Sequence, residues 1–385
     1  MIPLSIPNFE GNEEKYVTDA VRQGWVSTGG AYVDIFEKKI AEYVGTVGAV
    51  ACQSGTSALH MSLIECGVGQ GDIVLVPTLT FIAAVNPVRY VNATPVFMDC
   101  DDSLCLDPVK LEEFIIQECS YSDGVLRHNS SKKIVKAIIV VHVFGNLADM
   151  EAIMGIAGSY HLKVIEDATE ALGTRCEYGK YKGKMAGAIG DYGAYSFNGN
   201  KIITTGGGGM VVSQDKQKLD HLKYMSTQCK DDGHFYIHNE VGFNYRMTNV
   251  QASIGVAQME ELDEFIIRKN KNYDLYCELF KECTTGFMLS FRESVYSNKW
   301  FYSFVLNRKV CDKPIKEYII KLQQQGIQTR PIWGLIHEQK PYRNELTYKI
   351  EKAKHYSDCI INLPCSSNIT KSEIVKVCQK IKEME

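Results

Sequence analysis

The chain has 385 residues, 45% of them hydrophobic and 23% charged, with a formal net charge of −4. That length and balance describe a folded protein with room for one large domain and a smaller one, and exclude a disordered chain. No basic block is present, so a nucleic-acid surface is excluded, whereas a nucleotide attached to a small molecule is not.

The thirteen cysteines include no C-x-x-C pair, which indicates neither a zinc site nor a disulfide framework. Free thiols in this number fit a reducing cytoplasm. The opening residues, MIPLSIPNFEGNEEKY, do not read as a signal peptide. The longest apolar stretch, AIIVVHVF, is too short to span a bilayer and reads as a buried strand.

In chain order, VGAVAC (47–52) reads as a strand followed by the helical SGTSALHMSLIECG, and DIVLVP (72–77) as a strand followed by the helical TFIAAVNPVRYV. Further strands are TPVFMD (94–99), VKAIIVVHV (135–143), KVIED (163–167) and GAYSF (193–197). Runs apolar on both faces, alternating with helices, predict an α/β fold whose mostly parallel sheet is flanked by helices. GGMVVS (208–213) reads as a further strand, antiparallel at an edge. The segment 228–246 is polar, aromatic and loop-like. A long helix is expected from near Thr248 past Tyr276, with Val250, Ile254, Ala257, Leu262 and Phe265 on its apolar face. A boundary near residue 265 divides a large α/β domain (1–265) from a smaller α+β domain (266–385). The latter holds the strand KWFYSFVL (299–306) and helices near 313–325 and 370–384.

In an open α/β sheet, ligands gather beyond the carboxyl ends of the strands. Four segments bring chemistry there. In CQSGTSALH a strand stops and a helix starts, leaving backbone N–H groups of Gly55, Thr56 and Ser57 to attract a phosphate; an ordinary N-cap by Ser54 is the alternative. Phe81, in PTLTFIAAVN, is placed to stack on a flat ring or to join the core. Asp167 closes a strand in VIEDATEALG, where a carboxylate can pair with a protonated ring nitrogen. Asp167 and Glu170 also have the spacing of a capping box, and both readings can hold together. The fourth segment, SFNGNKIITTGGGGM (196–210), delivers Ser196 and Lys201 to the same edge. The order is wrong for a P-loop, whose glycines precede the lysine. An amine sheltered from water sheds its proton more readily than an exposed one, and then condenses with aldehydes. A phosphate cradle, a stacking ring, a carboxylate for a ring nitrogen and a lysine amine together match pyridoxal 5′-phosphate.

With these motifs, the chain resembles the DegT/StrS sugar aminotransferases, within the fold-type I pyridoxal-phosphate enzymes. The resemblance runs from GWVSTGGAYVDIFEKKIAEYVG to TRPIWGLIHEQKPY and is most specific at SFNGNKIITTGGGGM. It implies that Lys201 bonds the cofactor's aldehyde, that Asp167 pairs with the pyridine nitrogen and that Phe81 stacks on the ring. It implies that Gly55, Thr56 and Ser196 hold the phosphate, and that Asn244 of a partner subunit reaches across to it, making a homodimer with shared sites. Glu170 stands where many members carry Gln or His, beside the ring hydroxyl. This departure resembles the branch that aminates the 4-keto group of nucleotide-linked 6-deoxysugars with glutamate as donor. Within that branch, WVSTGGAYVDIFE and TRPIW incline toward enzymes of legionaminic acid precursor synthesis, which would imply a 2-acetamido sugar. A GDP-perosamine synthase-like 4-aminotransferase and a sugar 3-aminotransferase are the alternatives. Trp333, Arg330, His337 and the 228–246 loop are candidate sugar contacts. WGLIH departs from the Lys-Pro that relatives often carry after the Trp.

Overall fold

The computed structural model describes residues 1–384. Its main sheet follows the spatial order Gly48–Cys52, Gly209–Ser213, Tyr192–Ser196, Lys163–Asp167, Ile134–Val141, Asp72–Pro77, Thr94–Met98, ending on the two-residue strand Thr347–Tyr348. From Tyr192–Ser196 to Thr347–Tyr348 every pairing along this path is parallel. Strands 72–77 and 164–167 are buried throughout, which explains their unbroken apolar runs. The strand at 209–213 is antiparallel, as expected, but it does not lie at an edge. It pairs on both sides, with Gly48–Cys52 and with Tyr192–Ser196, and all five residues are buried. Two-sided pairing satisfies both rows of its backbone groups. Because it runs against its neighbours, its first residue, Gly209, meets the end of strand 48–52, where the expected site lies.

Two local expectations are corrected. TFIAAVNPVRYV forms only a turn of 3₁₀ helix at Ile82–Ala84 and a short helix at Asn86–Tyr90. Asp167 and Glu170 form no capping box, because no helix follows Asp167. The chain instead turns through 168–174, held by Asn298, whose Nδ2 donates to the carbonyls of Glu170 and Leu172 at 3.0 Å each. Tertiary hydrogen bonds here override a local capping pattern.

The helix Asn249–Leu279 is capped by Thr248 in a capping box with Gln251. It runs straight through position 265, so the expected division falls inside a continuous helix. Beyond it, Gly286–Met288, Tyr302–Leu306, Ile360–Leu363 and Arg330–Pro331 build a separate four-stranded antiparallel sheet. The helices Ile315–Gln324 and Lys371–Lys382 accompany this sheet. Among the described residues, no helix is long and apolar enough to cross a membrane.

Candidate active site

The carboxyl ends of strands 48–52, 134–141, 163–167 and 192–196 open into one cavity of about 490 Å³. Its lining includes Gly55, Thr56, Phe81, Asp167, Glu170, Ser196 and Lys201, together with Trp333. These are eight of the twelve residues singled out from the sequence. The other four lie outside the lining. Ser57 is buried, and its N–H is already spent on the Oγ of Ser54, the N-cap, at 3.0 Å. Arg330 is exposed, with its guanidinium turned onto the Thr329 carbonyl. His337 is held against Thr78, Nδ1 to Oγ1 at 2.6 Å. Asn244 is exposed and accepts a hydrogen bond from Gln228. The 228–246 segment contains a small hairpin, Lys230–Asp232 with Ile237–His238, and stands away from the cavity lining.

One wall is the start of helix Gly55–Glu65. Ser54 satisfies one of the donors orphaned there; the N–H groups of Gly55 and Thr56, first and second in the helix, have no intrahelical acceptor. Both the capping and the anion-binding readings of this stretch are thus compatible. The glycine run closes on the same point. A Cβ on Gly209 would lie 2.3 Å from the Ser54 carbonyl carbon and 2.7 Å from the Gly55 nitrogen. A Cβ on Gly55 would meet the Thr169 methyl at 2.8 Å. Only glycine lets the Gly209 strand approach the Ser54–Gly55 backbone so closely.

The floor carries two buried carboxyl groups. Asp167 and Glu170 are each 4% exposed. Burial pushes the Asp167 carboxyl up, opposed by its hydrogen bonds from Thr169 and by the Lys201 charge. The preceding residue, Glu166, anchors the strand end. It accepts hydrogen bonds from the backbone N–H groups of Gly187, Ile189 and Gly190, and bonds His142 Nε2 at 2.8 Å. His142 Nδ1 accepts from the Ala148 N–H, so Nε2 carries the proton given to Glu166. This network holds the strand end, and the Thr169 N–H fixes the Asp167 carboxyl at 3.1 Å.

Lys201 Nζ lies 3.6 Å from Glu170 Oε1. Glu170 Oε2 accepts the N–H of Phe144 at 2.8 Å. Phe144 adopts φ +56°, a left-handed conformation uncommon for a side chain of this size. Burial raises the Glu170 carboxyl to about 7, against the opposing pull of Lys201 and the Phe144 N–H. Between about pH 4.5 and 7 the folded chain therefore keeps a proton that the unfolded chain releases, and stability falls as pH rises through that window. Urea unfolding of the cofactor-free protein should show Glu170→Gln gaining on the wild type from pH 4.5 to 7, by on the order of 3 kcal/mol. A constant gap between the two across that range would contradict the assignment.

Several lining residues were not found from sequence: Gln53, Thr80, Asn198, Asn200, Trp300 and Phe301. The aromatic pair sits in a run read as strand. The strand starts only at Tyr302, because Lys299 takes φ +47° and turns the chain toward the cavity. An Asn-Lys pair ahead of two aromatics was the one available hint. Phe81, 55% exposed, is no core residue, and it lines the cavity.

The family model for the DegT/DnrJ/EryC1/StrS aminotransferase family matches residues 7–382. The chain belongs to this family. The aminotransferase is 37% identical to a GDP-perosamine synthase of Escherichia coli O157:H7, over 99% of this chain and 98% of that one. It is 36% identical to a GDP-perosamine synthase of Caulobacter vibrioides, over 98% and 96%. A relative from Bacillus subtilis, EpsN, whose name contains "pyridoxal phosphate-dependent aminotransferase", is 35% identical over 98% and 94%. Among solved structures, a DegT DnrJ EryC1 StrS aminotransferase from Brucella abortus superposes with a TM-score of 0.86 at 26% identity, over 97% of this chain and 95% of that one.

Proposed function

We propose that this aminotransferase moves an amino group from glutamate to the 4-keto carbon of a 6-deoxysugar carried on a nucleoside diphosphate. Its cofactor is pyridoxal 5′-phosphate. The observation that carries this reading is the meeting, in one cavity, of a sheltered lysine amine, a buried carboxylate and a helix start with unpaired N–H groups. Those groups fit the three polar features of the cofactor: aldehyde, ring nitrogen and phosphate. The absence of a Cβ at Gly209 lets its strand lie directly against the Ser54–Gly55 backbone at the phosphate end of the cradle, and at Gly55 the missing Cβ leaves room for the Thr169 methyl and Ser196 Cβ.

When bound, the cofactor supplies an electron-withdrawing ring that takes up negative charge left on a carbon losing its proton. Everything else falls to this chain. Gly55, Thr56 and Ser196 would hold the phosphate. Phe81 would cover a ring face. Asp167 would keep the ring nitrogen protonated, an ion pair strengthened by the low dielectric around it. Lys201 Nζ would take the proton from the donor's Cα in the first half of the reaction and pass it on before the keto acid leaves, and in the second half it would deliver a proton to the sugar carbon that gains nitrogen. Glu170 reaches Lys201 and is poised near neutrality to exchange a proton with it. Asn244, exposed and outside its own cavity, would serve the site of a second copy in a homodimer.

For the sugar, the relatives named GDP-perosamine synthase favour a GDP-linked 4-keto-6-deoxysugar over the 2-acetamido sugar of a legionaminic-type route, whichever nucleotide carries it. A panel of UDP- and GDP-linked 4-keto-6-deoxysugars, each with glutamate, separates them by product mass. Amination of the GDP-linked sugar is expected. Amination of only 2-acetamido sugars, on either nucleotide, would replace this reading with the legionaminic one, and no amination of any would end both.

A further inference from the structure

Trp300 has no role in the reading above, yet it touches the centre of it. Lys201 Nζ sits over the Trp300 indole, 4.2 Å from the ring centroid. The indole N–H donates to the carbonyl of Asn200, the residue before Lys201, at 2.7 Å. The ring is 4% exposed and stacks on Phe301 at 4.0 Å with planes 9° apart. Asn298 fixes its backbone: Oδ1 accepts the Trp300 N–H at 3.0 Å, while Nδ2 holds the carbonyls of Glu170 and Leu172. One buried asparagine thus sets the spacing between the two groups that flank the lysine, a π face and a carboxylate.

An amine that alternately bonds a cofactor and moves protons needs somewhere to rest when released. Water is the default, and it would draw the side chain out of the cavity. A cation over an indole face, with a carboxylate 3.6 Å away, is a competing site inside it. We propose that Trp300 is a positioning residue for Lys201: its indole face and the Glu170 carboxylate together hold the freed lysine ammonium within reach of the cofactor. This rests on Lys201 being the cofactor-linked lysine. It also links the second sheet to the site, since Trp300 lies two residues before the strand 302–306.

The test is amine-selective acylation of the cofactor-free protein at one fixed pH, read lysine by lysine from peptide masses. Lys299 is the internal control, being 14% exposed at its side chain against 13% for Lys201, and adjacent to Trp300. In Trp300→Leu, acylation of Lys201 should rise about tenfold, the equivalent of a desolvated cation–π contact, while Lys299 is unchanged. Trp300→Phe, which keeps a ring face, should restore most of the protection. Equal rises at both lysines would mean loosened packing and overturn the proposal, as would no rise at Lys201. If Trp300→Leu does not fold by circular dichroism, Trp300→Phe decides, with a two- to threefold rise at Lys201 alone expected and an unchanged rate contradicting it. Failure of the underlying reading shows separately, as a cofactor that borohydride attaches to some other lysine.

Discussion

Lys201→Ala is expected to abolish turnover, lowering kcat by at least about 10⁴-fold, while the protein remains folded. The substitution removes both the amine that anchors the cofactor and the base that handles the Cα proton. Structurally it costs little. The backbone N–H of Lys201 keeps its bond to Asn198, and the side chains that feel Nζ are Glu170, the Trp300 face and, through its charge, Asp167. Glu170, left without its cation, can take a proton near neutral pH, since burial already raises its carboxyl to about 7. Steady-state rates beside thermal unfolding check both halves. Activity within tenfold of the wild type would contradict the assignment of Lys201.

Asp167→Asn should cost on the order of 10²–10³ in kcat with the cavity's shape preserved. The amide is isosteric but carries no charge, so it cannot keep a ring nitrogen protonated. The strand end survives, because Glu166 and its backbone donors anchor it independently. The loss should therefore appear in kcat with cofactor still bound, measured by absorbance of the loaded protein. Wild-type turnover in Asp167→Asn would remove the ring-nitrogen role.

Much of this was legible because the strands announce themselves. Both-face burial makes runs such as DIVLVP and KVIED continuous, and the residues just past their ends are the ones the topology gathers. Asp167, Ser196 and the Gly55 helix start were reachable by that rule alone. What sequence could not show depends on contacts between distant segments. Glu170 looked like a helix cap because Asn298, 128 residues away, was not yet in view. The glycine-rich strand looked like an edge because its second partner lies at residues 48–52. Trp300 was hidden inside an apolar run, its turn toward the cavity set by a single positive φ at Lys299. His337 is kept out of the cavity by the turn at Ile336–Glu338 and its Thr78 contact, and Arg330 by a guanidinium turned back onto the Thr329 carbonyl.

The central claim is that one amine, sheltered between a tryptophan face and a carboxylate, makes the covalent link to pyridoxal 5′-phosphate. Borohydride reduction of the loaded protein, followed by digestion and peptide mass mapping, tests it directly. A single reduced cofactor adduct on the peptide carrying Lys201 is the predicted result, and an adduct on any other lysine, or none, would contradict the account.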